Sequence, residues 1–229
     1  MATAPKLHLI RGNPDYPTGD GKPVTESDYH WNVMRDVRLT LQAYFAADPL
    51  VYISGNIFVF YVPGDRRRHV SPDVLVVKGV PKGDRLNYLI WEEGRSLDLV
   101  IELTSTSTRH EDLNRKFKLY RDTVKVPEYF LFDPRREYLE PRLQGYRLRK
   151  GEYHPIQAIK GRLPSRVLGL HLEAHEGQLR LYDPATDQWL LTPLESLAQE
   201  QEARVTAEKE IERLRREVAE LRRKLRKED

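Results

Sequence analysis

The sequence predicts an α/β (α+β) fold: a mixed central sheet flanked by helices, with a separate coiled-coil helix at the C-terminal end. Three observations lead there. Apolar runs of strand length, at 51–62, 70–77, 97–103 and 128–132, alternate with two stretches of helical periodicity. Short strand-and-turn segments then continue to Leu191, and a long Gly- and Pro-free helix follows Pro193. A helix, strands, a second helix and more strands, in that order, form a layered sheet and not an up-and-down bundle.

Residues 1–25 are rich in Pro, Gly and Asp and are expected to form an irregular arm. From Ser27, the spacing of Trp31, Met34, Val37, Leu41 and Phe45 predicts an amphipathic helix to about Ala47. Ser27 or Asp28 caps its start, and Asp48-Pro49 stops it. VYISGNIFVFYV (51–62) is β-branched and aromatic, with a bend at Gly55-Asn56. VSPDVLVV (70–77) is a second strand-length run, and the near-continuous hydrophobicity of LDLVIEL (97–103) marks a central strand. A Ser/Thr-rich loop leads to a helix from about His110 to Asp122, striped by Leu113, Phe117 and Tyr120. EYFLF (128–132) is the next strand, and YLEPRL, GYRLRKGEYHPI, LRLYD and QWLLT read as the short strands after it.

The expected organisation is therefore an arm at 1–25, a folded domain at 26–192 and a helix at 193–229. In that last helix, Ile211, Val218 and Leu225 at position a, with Ala207, Leu214 and Leu221 at d, trace a heptad seam. Pairing of g with the e′ five residues on joins Glu210 to Arg215 and Glu217 to Arg222, which attract only in a parallel pair. The expectation is a homodimer or higher homo-oligomer through 204–227. The alternative is a lone charged helix folded back on the domain, since Arg204 occupies an a position.

Charge narrows the function. The 229 residues carry a net +3 and a pI near 9.0, which would suggest a nucleic-acid binder. Residues 204–229 hold ten Lys/Arg and seven Asp/Glu, which leaves 28 basic and 28 acidic residues in 1–203. Any anion-binding surface on the domain must then come from local clustering. The absence of cysteine excludes disulfides, thiolate zinc sites and a cysteine nucleophile. No run is apolar for about 18 residues and the first 22 lack a signal-like apolar core, so no membrane span and a cytoplasmic protein are expected.

Asp73 and Glu102 stand out among the acids because they sit inside apolar strand segments. A buried carboxylate is costly unless it is paired or holds a metal, and two of them on neighbouring strands repel without a cation between them. Mg²⁺ suits such a pair, since it takes one or two carboxylates and keeps several waters. The competing reading puts each acid at a strand end, facing water or pairing with Arg66, Arg67, Arg68 or Arg109. Lys116 shares a helix face with Asp112 and Tyr120 by i, i+4 spacing. It is either half of a surface ion pair or a cation directed at the carboxylates.

SPDVLVV, VIELTSTSTRHEDLNRKFKLYRD and VPEYFLFDP, in that order, resemble the Uma ("Uma-two") family of restriction endonucleases, a branch of the PD-(D/E)XK nuclease superfamily. The resemblance runs over about Ser27 to Leu191 and is sharpest from Ser71 to Pro134. It implies a restriction-endonuclease-like core for 26–192 and a Mg²⁺-dependent DNA endonuclease (Mn²⁺ as substitute) whose product carries a 5′-phosphate. Asp73 and Glu102 would be both catalytic and metal-binding, with the Leu103 carbonyl as an additional ligand. The lysine usual two residues beyond the glutamate is replaced by Thr104, so the resemblance moves that role to Lys116, with Lys118 as the fallback. His30 matches a histidine of the family's first helix or is simply a polar residue at a helix start. The alternative function is a catalytically weak or inactive nuclease fold that serves as a dimeric scaffold through its coiled coil.

Overall fold

The structure, a computed structural model, describes residues 11–19, 27–105 and 109–228. It separates into two compact units, with the boundary between Leu190 and Leu191.

The first unit is built on a six-stranded mixed sheet: β1 (Val51–Ser54), β4 (Val74–Lys78), β6 (Leu99–Leu103), β7 (Glu128–Phe132), β8 (Leu143–Arg149) and β9 (Glu152–Pro155), in that order. All neighbours are antiparallel except β6 and β7. A parallel pair needs a crossover, and helix 109–124 supplies it. A three-stranded sheet, β3 (His69–Val70), β2 (Val59–Phe60) and β5 (Tyr88–Leu89), and a four-stranded one, β10 (Leu163–Pro164), β11 (His171–His175), β12 (Gln178–Asp183) and β13 (Gln188–Trp189), complete the unit.

Period-two alternation sorts the central sheet into two cores. Val74, Val76, Leu99, Ile101, Leu103, Phe130 and Phe132 pack with helix α1 (Asp28–Tyr44) and the β10–β12 layer. Leu75, Val77, Val100, Tyr129 and Leu131 face the other way, towards Tyr120 and Val124 of helix 109–124. Because both faces are covered, the central strands are apolar throughout, as their sequence suggests.

Several local expectations change; among them YLEPRL, expected as a short strand, is a run of bends up to Arg142, with only Leu143 in β8. Trp31 is 45% exposed, whereas Val33 is buried with Met34, Val37 and Leu41; Trp31 sits about 100° round the helix from His30, off that stripe. VSPDVLVV is two strands and not one, broken at Ser71-Pro72, where Pro72 has no N–H to donate and its carbonyl accepts from Asn56 N–H at 2.8 Å. Helix 109–124 contains two π-helical stretches, Glu111–Lys116 and Leu119–Val124, in place of a regular α-helix. HLEAH, not read as a strand, forms β11.

Residues 11–19 of the expected arm lie along the first unit. Arg11 exchanges backbone bonds with Asp84 and Leu86 at 2.8 Å each, and Asn87 bonds Asn13 and Tyr16. Residues 1–10 and 20–25 fall outside the described residues.

The second unit is a single helix, Pro193–Glu228. Thr192 and Glu195 close a capping box at 2.8 and 3.3 Å, and Pro193 fills the first helical position, where no N–H is needed. Ile211, Leu214 and Val218 of the heptad seam are about half exposed within it. The side chains of Leu221, Arg222 and Leu225 lie outside the described residues.

Candidate active site

The antiparallel register Val74↔Ile101, extended by one residue, sets Asp73 opposite Glu102. Asp73 immediately precedes β4 and keeps 7% of its surface, and Glu102, inside β6, keeps none. Asp73 is thus at a strand end, as the competing reading has it, but its carboxylate does not face open water. Its Oδ2 accepts the Leu103 N–H at 2.7 Å, and Nε2 of His30 on α1 lies 3.6 Å away. Neither Asp73 nor Glu102 pairs with an arginine among the described residues.

Glu102 alternates with Ile101 and therefore points at helix 109–124. There Tyr120 OH donates to its Oε1 at 2.7 Å, and Lys116 Nζ donates to its Oε2 at 3.0 Å. Lys116 Nζ also lies 3.1 Å from Asp112 Oδ1, so the ammonium is clamped between two carboxylates and is not a surface ion-pair partner. Lys118, two residues on, is exposed. Asp112 is buried in turn and accepts from Thr104 Oγ1 at 2.9 Å, and Thr104 also contacts the hydroxyl of Tyr138. Thr104, which takes the place of the usual lysine, therefore holds the acid that holds Lys116.

Three residues contribute in ways the sequence reading missed. Tyr129 OH donates to the Asp112 carbonyl at 3.2 Å and anchors the first π-helical stretch. Tyr138 approaches from the turn after β7 and carries no local signal. Gly55 sits so close to the strand break that an added Cβ would lie 1.9 Å from the Asp73 carbonyl oxygen. A glycine inside a strand-like run is itself a sign of such close approach.

The charge balance of the cluster is unusual. Glu128 and Asp133 are just as buried, but both are answered. Glu128 meets Arg147 at 2.8 Å and Ser165 Oγ at 2.5 Å, and Asp133 accepts three backbone N–H groups. Around Glu102, three carboxylates share one lysine, with His30 at the margin. Burial, then repulsion from Asp73 and Asp112, pushes the Glu102 carboxyl up to about 8, against the pull of Lys116. Burial works against the Lys116 ammonium, but Glu102, Asp112 and Asp73 outweigh it and hold its pKa above the ordinary value.

This excess of negative charge, on hard oxygen donors alone, suits a divalent cation. Among the described residues no group of three or more His, Cys, Asp or Glu side chains is placed to hold a metal ion. A protein cage is what Ca²⁺ or structural Zn²⁺ demands, whereas Mg²⁺ is held by one or two carboxylates and retains water. Asp73 and Glu102 are the residues that could hold such an ion.

The mixed sheet thus carries an acid at the head of one central strand, a buried glutamate on the next and a lysine against it. A family model described as "Putative restriction endonuclease" matches residues 9–175. The chain belongs to that family, Uma2. A similar solved structure, from Anabaena variabilis ATCC 29413, is titled a "putative nuclease belonging to DUF820". It is 17% identical, with a TM-score of 0.48, over 66% of this chain and 80% of that one. No curated protein matches the chain.

Proposed function

We propose that this protein is a Mg²⁺-dependent endonuclease that hydrolyses phosphodiester bonds in DNA and leaves a 5′-phosphate. The observation that carries the proposal is the juxtaposition of Asp73 and Glu102 across β4 and β6, with Lys116 3.0 Å from Glu102. Asp73 and Glu102 would hold the metal, which when bound polarises the phosphate and activates a water (Mn²⁺ acting as substitute). Lys116 orients that water or stabilises the charge developing on the phosphoryl oxygens, held for the task by Glu102 and Asp112. Tyr120 fixes the rotamer of Glu102, and the Leu103 N–H fixes that of Asp73.

The proposal includes a homodimer through the C-terminal helix, supported by the half-exposed Ile211, Leu214 and Val218. The same exposed seam supports a second reading, a scaffold that assembles without cleaving. Supercoiled plasmid with Mg²⁺ or Mn²⁺ separates them: nicking or linearisation by wild type and none by Asp73→Asn is expected. A purified dimer without metal-dependent cleavage, or cleavage by Asp73→Asn at the wild-type rate, refutes the enzyme reading.

A further inference from the structure

The formally neutral composition of 1–203 conceals a strong local imbalance. Residues 142–166 hold seven Lys/Arg and one acid, Glu152, so the rest of 1–203 holds 21 basic against 27 acidic residues. This segment is the β8–β9 hairpin, the loop into β10, β10 itself and the first two residues after it. Its single acid is engaged elsewhere, since Arg121 Nη1 takes Glu152 at 3.0 Å.

Three of the seven cations have internal work. Arg147 neutralises Glu128, Arg162 pairs with Glu173 at 2.6 Å, and Arg142 donates to the Asp133 and Pro134 carbonyls. The other four, Arg149, Lys150, Lys160 and Arg166, are exposed and have no carboxylate partner among the described residues. Lys150 and Lys160 stand at φ 51° in two tight turns, each followed by a glycine, so each turn tip presents an ammonium. Between the turns a cleft of about 430 Å³ is lined by Arg147, Arg149, His154 and Arg166 over Ile156, with no acidic residue in its wall.

The cluster is separate from the carboxylates. Glu102 is in register with Leu131 and, through it, with Gln144, so Arg147 and Arg149 lie three and five residues further along β8. At ~3.3 Å per residue that is roughly 10 and 17 Å towards the opposite end of the sheet.

We propose that the β8–β10 surface is a non-catalytic docking site for the sugar–phosphate backbone of a nucleic-acid duplex. Small phosphate ligands are held in enclosed pockets by buried donors. Here the cations are exposed and spread over two turn tips, an arrangement that suits a repeating polyanion and binding by counterion release. The choice of nucleic acid as that polyanion rests on the nuclease reading above; the charge cluster does not.

The test is anisotropy of a labelled duplex with the full-length protein in EDTA, titrated from 50 to 200 mM salt, with cleavage scored separately in Mg²⁺. The triple variant Arg149→Glu, Lys150→Glu, Arg166→Glu is expected to lower the slope of log K against log salt by about 2.7, at ~0.9 for each phosphate no longer neutralised. The pair Arg149→Lys, Arg166→Lys keeps the charge and should keep the slope. An unchanged slope in the triple variant overturns the proposal, as does equal loss in the charge-conserving pair or failure of wild type to bind at 50 mM salt. A slope that falls as expected, with no cleavage by wild type, upholds the docking site and refutes the nuclease reading alone.

Discussion

Lys116 is the one ammonium among three buried carboxylates, and the single-residue predictions follow from that imbalance. Glu102→Gln and Asp73→Asn should each abolish metal-dependent plasmid cleavage and leave the fold intact. The native Glu102 carboxyl, raised by burial to about 8 from 4.5, keeps a proton that the unfolded chain loses between those values. Its contribution to stability is therefore complete below about pH 4.5 and lost as pH rises through about 8. In EDTA, melts between pH 5 and 8.5 should show wild type losing ground to Glu102→Gln as pH rises. Parallel curves would show that the carboxyl titrates normally. Lys116→Ala should reduce cleavage by ~10²–10³-fold, the scale of a lost charge-stabilising donor, while the exposed Lys118→Ala stays close to wild type. Equal losses in the two would remove Lys116 from its proposed role. Gly55→Ala forces a Cβ against the Asp73 carbonyl and should cost about 1–3 kcal/mol by overpacking, read as a lowered melting temperature and weaker cleavage.

Among the elements, helix 109–124 positions the site and the C-terminal helix carries the proposed dimer seam. The first brings Asp112, Lys116 and Tyr120 onto Glu102 although much of it is π-helical; π-helical segments are frequent at functional sites. Its apolar residues Leu113 and Phe117 pack in the second core, which leaves the polar ones directed at β6. The C-terminal helix pairs Glu210 with Arg213 and Glu212 with Arg216 along its own length, interactions worth only about 0.3–0.5 kcal/mol each when exposed. Those pairs leave Arg215 available for a partner helix. Arg215→Glu with Arg222→Glu sets like charges across the proposed parallel seam and should weaken self-association. Sedimentation of full length, of a 1–195 truncation and of this variant tests it. A full-length monomer at tens of micromolar, a concentration range chosen for a seam this short, would refute the dimer.

At the scale of the whole molecule, the carboxylate cluster is a charge defect that a divalent cation would relieve. Added Mg²⁺ should raise the melting temperature of wild type, more at pH 8 than at pH 5, because at low pH protons compete for Glu102. Asp73→Asn should lose most of that shift, and an equal shift in the variant would place the ion elsewhere. No helix among the described residues is long and apolar enough to cross a membrane.

Strand and helix order, the buried character of β6 and β7, and Asp73 and Glu102 as embedded acids were legible in the sequence, while the placing of those acids on adjacent strands was what the family resemblance implied. Each of the legible features rests on local periodicity or on the cost of placing a charge in an apolar run, and both are properties of consecutive residues. EYFLF is β7 to the residue. Sequence also placed Asp112, Lys116 and Tyr120 together, because i, i+4 spacing survives the change from α- to π-helical turns. Tertiary structure alone decided what that face meets. Lys116 and not Lys118 reaches Glu102 because the crossover from β6 to β7 sets the rotation of the helix over the sheet. His30 reaches Asp73 because α1 packs on the opposite core, and no local signal separates that from a polar residue at a helix start. Glu128, at the head of β7, is as buried as Glu102, yet Arg147 neutralises it and Ser165 donates to it from 19 and 37 residues away. Whether a buried acid is satisfied depends on partners distant in the chain, and only the folded packing brings them to it.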